Sequence, residues 1–277
     1  NLRGEETRAG CGISIDSPDE MLTHIVVEGI TIRDCILHNL SLYRAWHCRI
    51  SQIASLGAHD KNLLLRYSEY CQILGNQCHG SEFEDGIILY SGNHHCVVQG
   101  NLCTGNARGG IVVNAFQTGI LLSGNLCRDN PVNLSLRGDH GSSTGDFSGG
   151  KGGVVIQGRG NQVNGLVALC PVNISATDLS YHGGIISGTP DEPLRTALLI
   201  HRSSEDRRVA PVDGVRLRGV TIQHCRTAVE VKGVVKDVRL TENRIQASDA
   251  AFAIDPECRE QVSVEGNEVG AADAGGR

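Results

Sequence analysis

The chain has 277 residues, a formal net charge of −6, 40% hydrophobic and 4% aromatic side chains, 35 glycines and 7 prolines. That is enough apolar material for one large folded unit; the acidic balance leaves no basic footprint for nucleic acid, and no run of side chains approaches the ~18 apolar residues of a membrane span. Eleven cysteines, an odd number, leave at least one thiol unpaired, and a chain this long needs no disulfide staples.

The chain opens Asn1-Leu2-Arg3 with Met21 as its one methionine, which reads as a processed product or a chain lacking its native start. From there a phrase recurs. "HIVVEGITIRDC" places Gly29 in a slot that Gln52, Gly75, Gly100 and Gly124 then fill, in steps of 23 to 25, and that Gly219, Glu242 and Gly266 resume near the C-terminus. Asn76, Asn101, Asn125, Asn243 and Asn267 each follow that slot. A second phrase runs just ahead of the first: GISID from 12, NLSLY from 39, NLLLR from 62, GIILY from 86, GIVVN from 110, NLSLR from 133, GVVIQ from 153, ALLIH from 197, AVEVK from 228 and AFAID from 251. A period in the twenties is the mark of a solenoid. Its runs are short, rich in Val, Ile and Leu, and broken by Gly and Asn, so they are strands. The leucine-rich-repeat frame is absent. The expectation is an all-β, single-stranded parallel β-helix of about ten or eleven coils over residues 1–277, each coil contacting mainly its neighbours about 4.8 Å away.

In this frame the Gly-Asn slots turn the coil corners, and stacked Asn side chains bond from coil to coil. The cysteines fall into columns. Cys48, Cys71 and Cys96 lie four before the slot, Cys78, Cys103 and Cys127 three after it. A ladder of reduced, buried thiols is the first expectation, with disulfides between neighbours as the alternative and no zinc spacing present.

The phrases "HCVVQGN", "GILLSGN" and "VEGITIRDC" resemble the right-handed parallel β-helices of the pectate-lyase-like superfamily, over nearly the whole chain. The resemblance implies the architecture and a polysaccharide-directed site; the superfamily holds lyases, hydrolases, epimerases and phage spikes, and fold alone does not choose among them. Short motifs of its members are only echoed, as "GDHG" at 138–141 and "FEDG" at 83–86.

Two-residue alternation turns Ile87 and Leu89 inward and Ile88 and Tyr90 outward. Applied to every copy, the last outward position reads Asp16, Tyr43, Arg66, Tyr90, Asn114, Arg137, Gln157, His201, Lys232, Asp255. This polar stripe is bordered by two expected insertion loops, 138–153 and 202–214. The other outward column is apolar in its middle, through Leu64, Ile88 and Val112, and calls for a cover: a loop, an N-terminal segment, or a second copy in a homo-oligomer.

Removal of the proton beside a uronic acid carboxylate needs a cation to neutralise that carboxylate and a base within hydrogen-bond reach. Arg66 and Arg137 are the candidate cations, with Tyr90 or His140 moving the proton. Tyr43, Asn114, Arg108, His201 and Lys151 are the candidate sugar contacts. The expected activity is a lyase or C5 epimerase on a uronic-acid glycan, working extracellularly or in the periplasm, with an intracellular site left open. The alternatives are a glycoside hydrolase, which needs two carboxylates across the bond, and a non-catalytic glycan-binding, spike or adhesin β-helix. No cofactor is called for. The competing cation reading is calcium on Glu82, Glu84 and Asp85, which share one turn, against a solvated charged turn.

Overall fold

The computed structural model describes residues 10–17, 19–202 and 212–271. The chain winds through about 11 parallel coils. Each coil contributes a front strand, which is the second phrase of the repeat, and two further short strands separated by corners. In the fourth coil these are Ile87–Ser91, Val97–Gln99 and Leu102–Thr104. Every strand pairs in parallel with its counterpart one coil away, as Ile13↔Leu40↔Leu63↔Ile87↔Ile111 do along the front. Among the described residues no helix is long and apolar enough to cross a membrane.

The interior follows from alternation. Leu63, Leu65, Ile87, Leu89, Ile111 and Val113 are all 0% exposed, and each such aliphatic side chain contributes about 2–3 kcal/mol by leaving water. Cys78, Cys103 and Cys127 are in-register partners and buried, and all eleven cysteines are free thiols. The corner slot takes the left-handed backbone as anticipated: Gly75, Gly100 and Gly124 have φ of +61°, +65° and +60°, and even Gln52 and Glu242 adopt +54° and +55° there. The asparagine after each slot turns inward. Nδ2 of Asn76 donates to Asn101 Oδ1 at 2.9 Å, Asn101 to Asn125 at 3.0 Å, and Asn125 to Oδ1 of Asp146 at 2.8 Å. A second ladder runs Asn39, Asn62, Asn106, Asn130 and Asn133 at 2.9–3.1 Å. Backbone and carboxamide groups that burial would otherwise leave unpaired are thereby satisfied.

Two expectations are corrected. Residues 138–153 do not form a loop: Ser142–Thr144 and Phe147–Gly149 are strands of a regular coil, and Asp146 terminates the first asparagine ladder at 1% exposure. This coil escapes a hydrophobic reading because its inward positions are Ser143 and Ser148, which are small and polar yet buried. The repeat also contains a front strand that the phrase list passes over, Val172–Thr177, paired with Val154–Arg159 on one side and with Leu194–His201 on the other. Most of the other expected insertion, 202–214, lies outside the described residues.

Candidate functional site

The front strands place the stripe as alternation requires. Asp16, Tyr43 and Arg66 are direct register partners. Tyr90, Asn114 and Arg137 each stand one residue beyond the paired Leu89, Val113 and Leu136. Gln157, Ser175, His201 and Lys232 continue the column, Ser175 being the member that the missed coil supplies. None of Tyr43, Arg66, Tyr90, Asn114 and Arg137 is buried, whereas the residues just before them are at most 1% exposed. A bulge interrupts the register at Tyr90: Ser91, not Tyr90, pairs with Arg66. The extra residue is pushed out of the ladder, and Tyr90 is 43% exposed.

At the N-terminal end of the stripe the side chains hold one another. The Arg66 guanidinium lies 5.3 Å from the ring centres of Tyr67 and Tyr90 and 6.0 Å from that of Tyr43, and Tyr43 meets Tyr67 edge-on at 5.4 Å. Arg66 is thus the centre of a cation–π cluster, and Tyr67 is a member of it that alternation could not announce, since it follows the strand on a corner. Next to this cluster runs a stack of rings on the same corner: His24, His47, Tyr70 and His95, with centroids 5.2–5.6 Å apart.

Toward the C-terminus the stripe borders a crevice. Asp85, Ile88, Arg108, Gly109, Val112, Asn114, Val132, Ser135 and Arg137 surround a cavity of about 20 Å³, enough for one water molecule. Its floor is the apolar column. Ile88, Val112 and Ser135 are 2%, 8% and 0% exposed, so flanking side chains cover this part of the expected patch, whereas Leu64 stays half-buried. One wall is Asn114 and Arg137. The other is Asp85 and Arg108, at the corner where the front strands begin. Arg108 donates to Glu84 Oε2 at 2.7 Å and is 61% exposed. Asp85 is 0% exposed, and neither of its carboxylate oxygens has a hydrogen-bond partner in the protein; the same holds for Ser135 Oγ. Burial pushes the Asp85 carboxyl up to about 6, against the opposing pull of Arg108. Asp85 has the inward parity of Ile87 and Leu89; a charged side chain at an inward position was the signal that could have singled it out.

The remaining candidates are not brought to the crevice. His140 occupies the corner column that His95 occupies two coils earlier, at φ +51°, exposed and lying over Gly160; with no intervening loop to carry it back, it does not face Tyr90's stripe. Lys151 stands exposed on the turn before Val154–Arg159, where its carbonyl accepts from Asn133. His201 is in the column three coils beyond Arg137, its Nδ1 3.2 Å from the Arg202 carbonyl. Glu82 pairs with His59 at 2.8 Å and Glu84 with Arg108, and among the described residues no three His, Cys, Asp or Glu side chains form a group that could hold a metal ion.

A sequence model of the family described as periplasmic copper-binding protein (NosD) matches residues 7–165. No curated protein sequence matches the chain. Among solved structures, DFA-IIIase from Arthrobacter chlorophenolicus A6 in complex with GF2 superposes with a TM-score of 0.65 at 12% identity, covering 92% of this chain and 71% of that one. A mannuronic acid specific polysaccharide family 6 lyase from human gut microbiota does so at 0.50 and 12% identity, over 91% of this chain and 87% of its own. The periplasmic alginate epimerase AlgG matches at 0.46 and 13% identity, and the chain spans only 50% of its length. At such identities the likeness is one of fold.

Proposed function

The chain belongs to the NosD family, and we propose that it is a glycan-active β-helix that removes the C5 proton of a uronic acid unit, as a lyase or epimerase. The crevice is the observation that carries this reading: two arginines, Arg108 and Arg137, line it above an apolar floor together with Asn114, and Tyr90 holds the place in the preceding coil that Asn114 holds in its own. Two guanidinium groups suit one carboxylate, whose neutralisation lowers the cost of charge developing at C5. Arg66, held among three rings, orients Tyr90 and extends the binding strip toward Tyr43. Its work outside the cytoplasm is in keeping with the periplasmic description of the family.

Copper, which the family's description names, does not suit the described residues. No three donor side chains converge. Stacked thiols bond to backbone carbonyls, as from Cys71 to Ala45 and Glu69, and burial drives Cys103 far above the ordinary thiol range. Metal ligation needs the thiolate, so no step is routed through copper.

The test is direct. Polymannuronate, polyguluronate and polygalacturonate are each incubated with the protein, and the ultraviolet band of an unsaturated uronide is followed together with solvent deuterium uptake at C5. Either signal is expected from one polymer; new reducing ends with neither signal would make the protein a hydrolase instead. Tyr90→Phe is expected to lower turnover by about 10²–10³-fold while leaving binding intact, and full activity in that variant rejects the role given to Tyr90.

A further inference from the structure

We propose that Asp85 is the proton acceptor of this crevice. The assignment rests on the uronate reading for its substrate, but the side chain itself is marked by three features independent of any substrate.

First, it is buried without a protein partner. The other carboxylate and carboxamide groups of the interior ladders are bonded: Asp146 accepts three hydrogen bonds, from Asn125 N, Asn125 Nδ2 and Ser143 Oγ at 2.7–2.8 Å. Asp85 accepts none. A buried carboxylate in that condition lowers stability, so the packing of the coil does not account for it. Second, the next coil leaves room for it. A Cβ on Gly109 would stand 2.4 Å from Val112 Cγ2 and 2.6 Å from Asp85 Oδ1, although Gly109 has no left-handed backbone that demands glycine. Third, it borders the cavity beside both arginines and the equally unpartnered Ser135.

The charged groups acting on Asp85 are Arg108 and Glu84 on its own corner and Lys61 and Asp60 from the coil before; Arg137 is the other charged residue lining the cavity. Lys61 is itself held by Asp60 at 2.8 Å, so its charge is largely spent. The result is a carboxyl lifted to about 6, suited to accept a proton near neutrality. Arg108 is the one lining residue that is mainly exposed, so it is the part of the wall that can move; a substrate carboxylate competing with Glu84 for it opens the way to Asp85. In the elimination, the Asp85 carboxylate takes the C5 proton and becomes a carboxylic acid. The C5–H electron pair becomes the C4=C5 bond as the C4–O4 bond breaks. O4 leaves with the proton of the Tyr90 hydroxyl, and Asp85 returns its proton through solvent to the phenolate.

Asp85→Asn in the full chain tests this in two arms. With the three polyuronates, kcat is expected to fall about 10³-fold with KM within about threefold, and Asp85→Glu to retain a residual rate with a displaced acidic limb in its pH profile; a kcat for Asp85→Asn within tenfold of the wild type overturns the proposal. Without substrate, the melting temperature of Asp85→Asn is expected to equal that of the wild type at pH 4 and to exceed it by about 5 °C at pH 8. A lowered melting temperature at both pH values makes Asp85 structural and overturns the proposal. If the wild type acts on none of the three polymers, the uronate reading fails alone, and the melting arm still decides for or against Asp85.

Discussion

The end of the first asparagine ladder and the wall of the crevice each hold one buried aspartate. Asp146 is 1% exposed and Asp85 0%, and burial raises the carboxyl of both. Around Asp146 the neighbouring coil supplies the backbone N–H and carboxamide of Asn125, and its own coil the Ser143 hydroxyl, all within 2.8 Å. Around Asp85 it supplies Gly109, which offers space and no donor, and the charge of Arg108. Equal burial therefore means different things. A fully bonded polar group registers the stack; an unbonded one beside cations is a cost to folding that the rest of the fold must offset, which is why Asp85 is the one proposed for chemistry.

Removing the bonded aspartate sharpens the contrast most. Asp146→Ala strands two donors of Asn125 and the Ser143 hydroxyl, and is expected to cost about 3–5 kcal/mol in urea unfolding. Comparable stability in that variant would show that the ladder's end is not a structural anchor.

The unbonded aspartate makes the opposite contribution, and pH exposes it. Its carboxyl lies at about 6 when folded against about 3.9 when unfolded. The folded state therefore binds more protons between those values. Stability is fullest below about pH 4, is lost as pH rises through about 6, and levels off above, a decline of about 3 kcal/mol from this group. Melting temperatures measured from pH 4 to pH 8 check the slope, and a wild-type curve identical to that of Asp85→Asn would break the comparison.

Arg137→Ala leaves the ladders untouched and empties one side of the crevice. A loss of about 10–100-fold in kcat/KM on the responsive polymer is expected, the worth of one charged hydrogen bond, with a melting temperature close to that of the wild type. The smallest effect separates two kinds of glycine. Gly109→Ala drives a methyl to 2.4 Å from Val112 and 2.6 Å from Asp85, and is expected to cost about 1–3 kcal/mol in stability and most of the activity. Gly100→Ala, at a left-handed corner with nothing within 4 Å, is expected to cost about 1 kcal/mol and no activity.

Much of this molecule can be read directly from its letters. The 23- to 25-residue recurrence specifies parallel coils, and the alternation in GIILY and GIVVN specifies which side of each front strand is wet. Where a coil departs from aliphatic letters the reading fails. "SSTGDFSGG" looks like a flexible insertion because Ser143 and Ser148 replace the usual core residues, yet Gly145-Asp146 fills the Gly-Asn slot and continues the ladder. Val172–Thr177 is passed over because its coil follows the previous front strand after only 18 residues.

Along the strands, the letters alone specify the fold, the outward stripe of Tyr43, Arg66, Tyr90, Asn114 and Arg137, and the cysteine and asparagine columns, because each depends on a local period that stacking simply repeats. Folding in three dimensions settles that His140 stands in the corner column of His95 and away from the crevice, that a bulge lifts Tyr90 out of the ladder, and that Asp85 and Arg108 share one small cavity with Arg137. Those relations join residues from corners of successive coils, whose backbone turns follow no two-residue alternation, and the ionisation of Asp85 depends on what the next coil places against it.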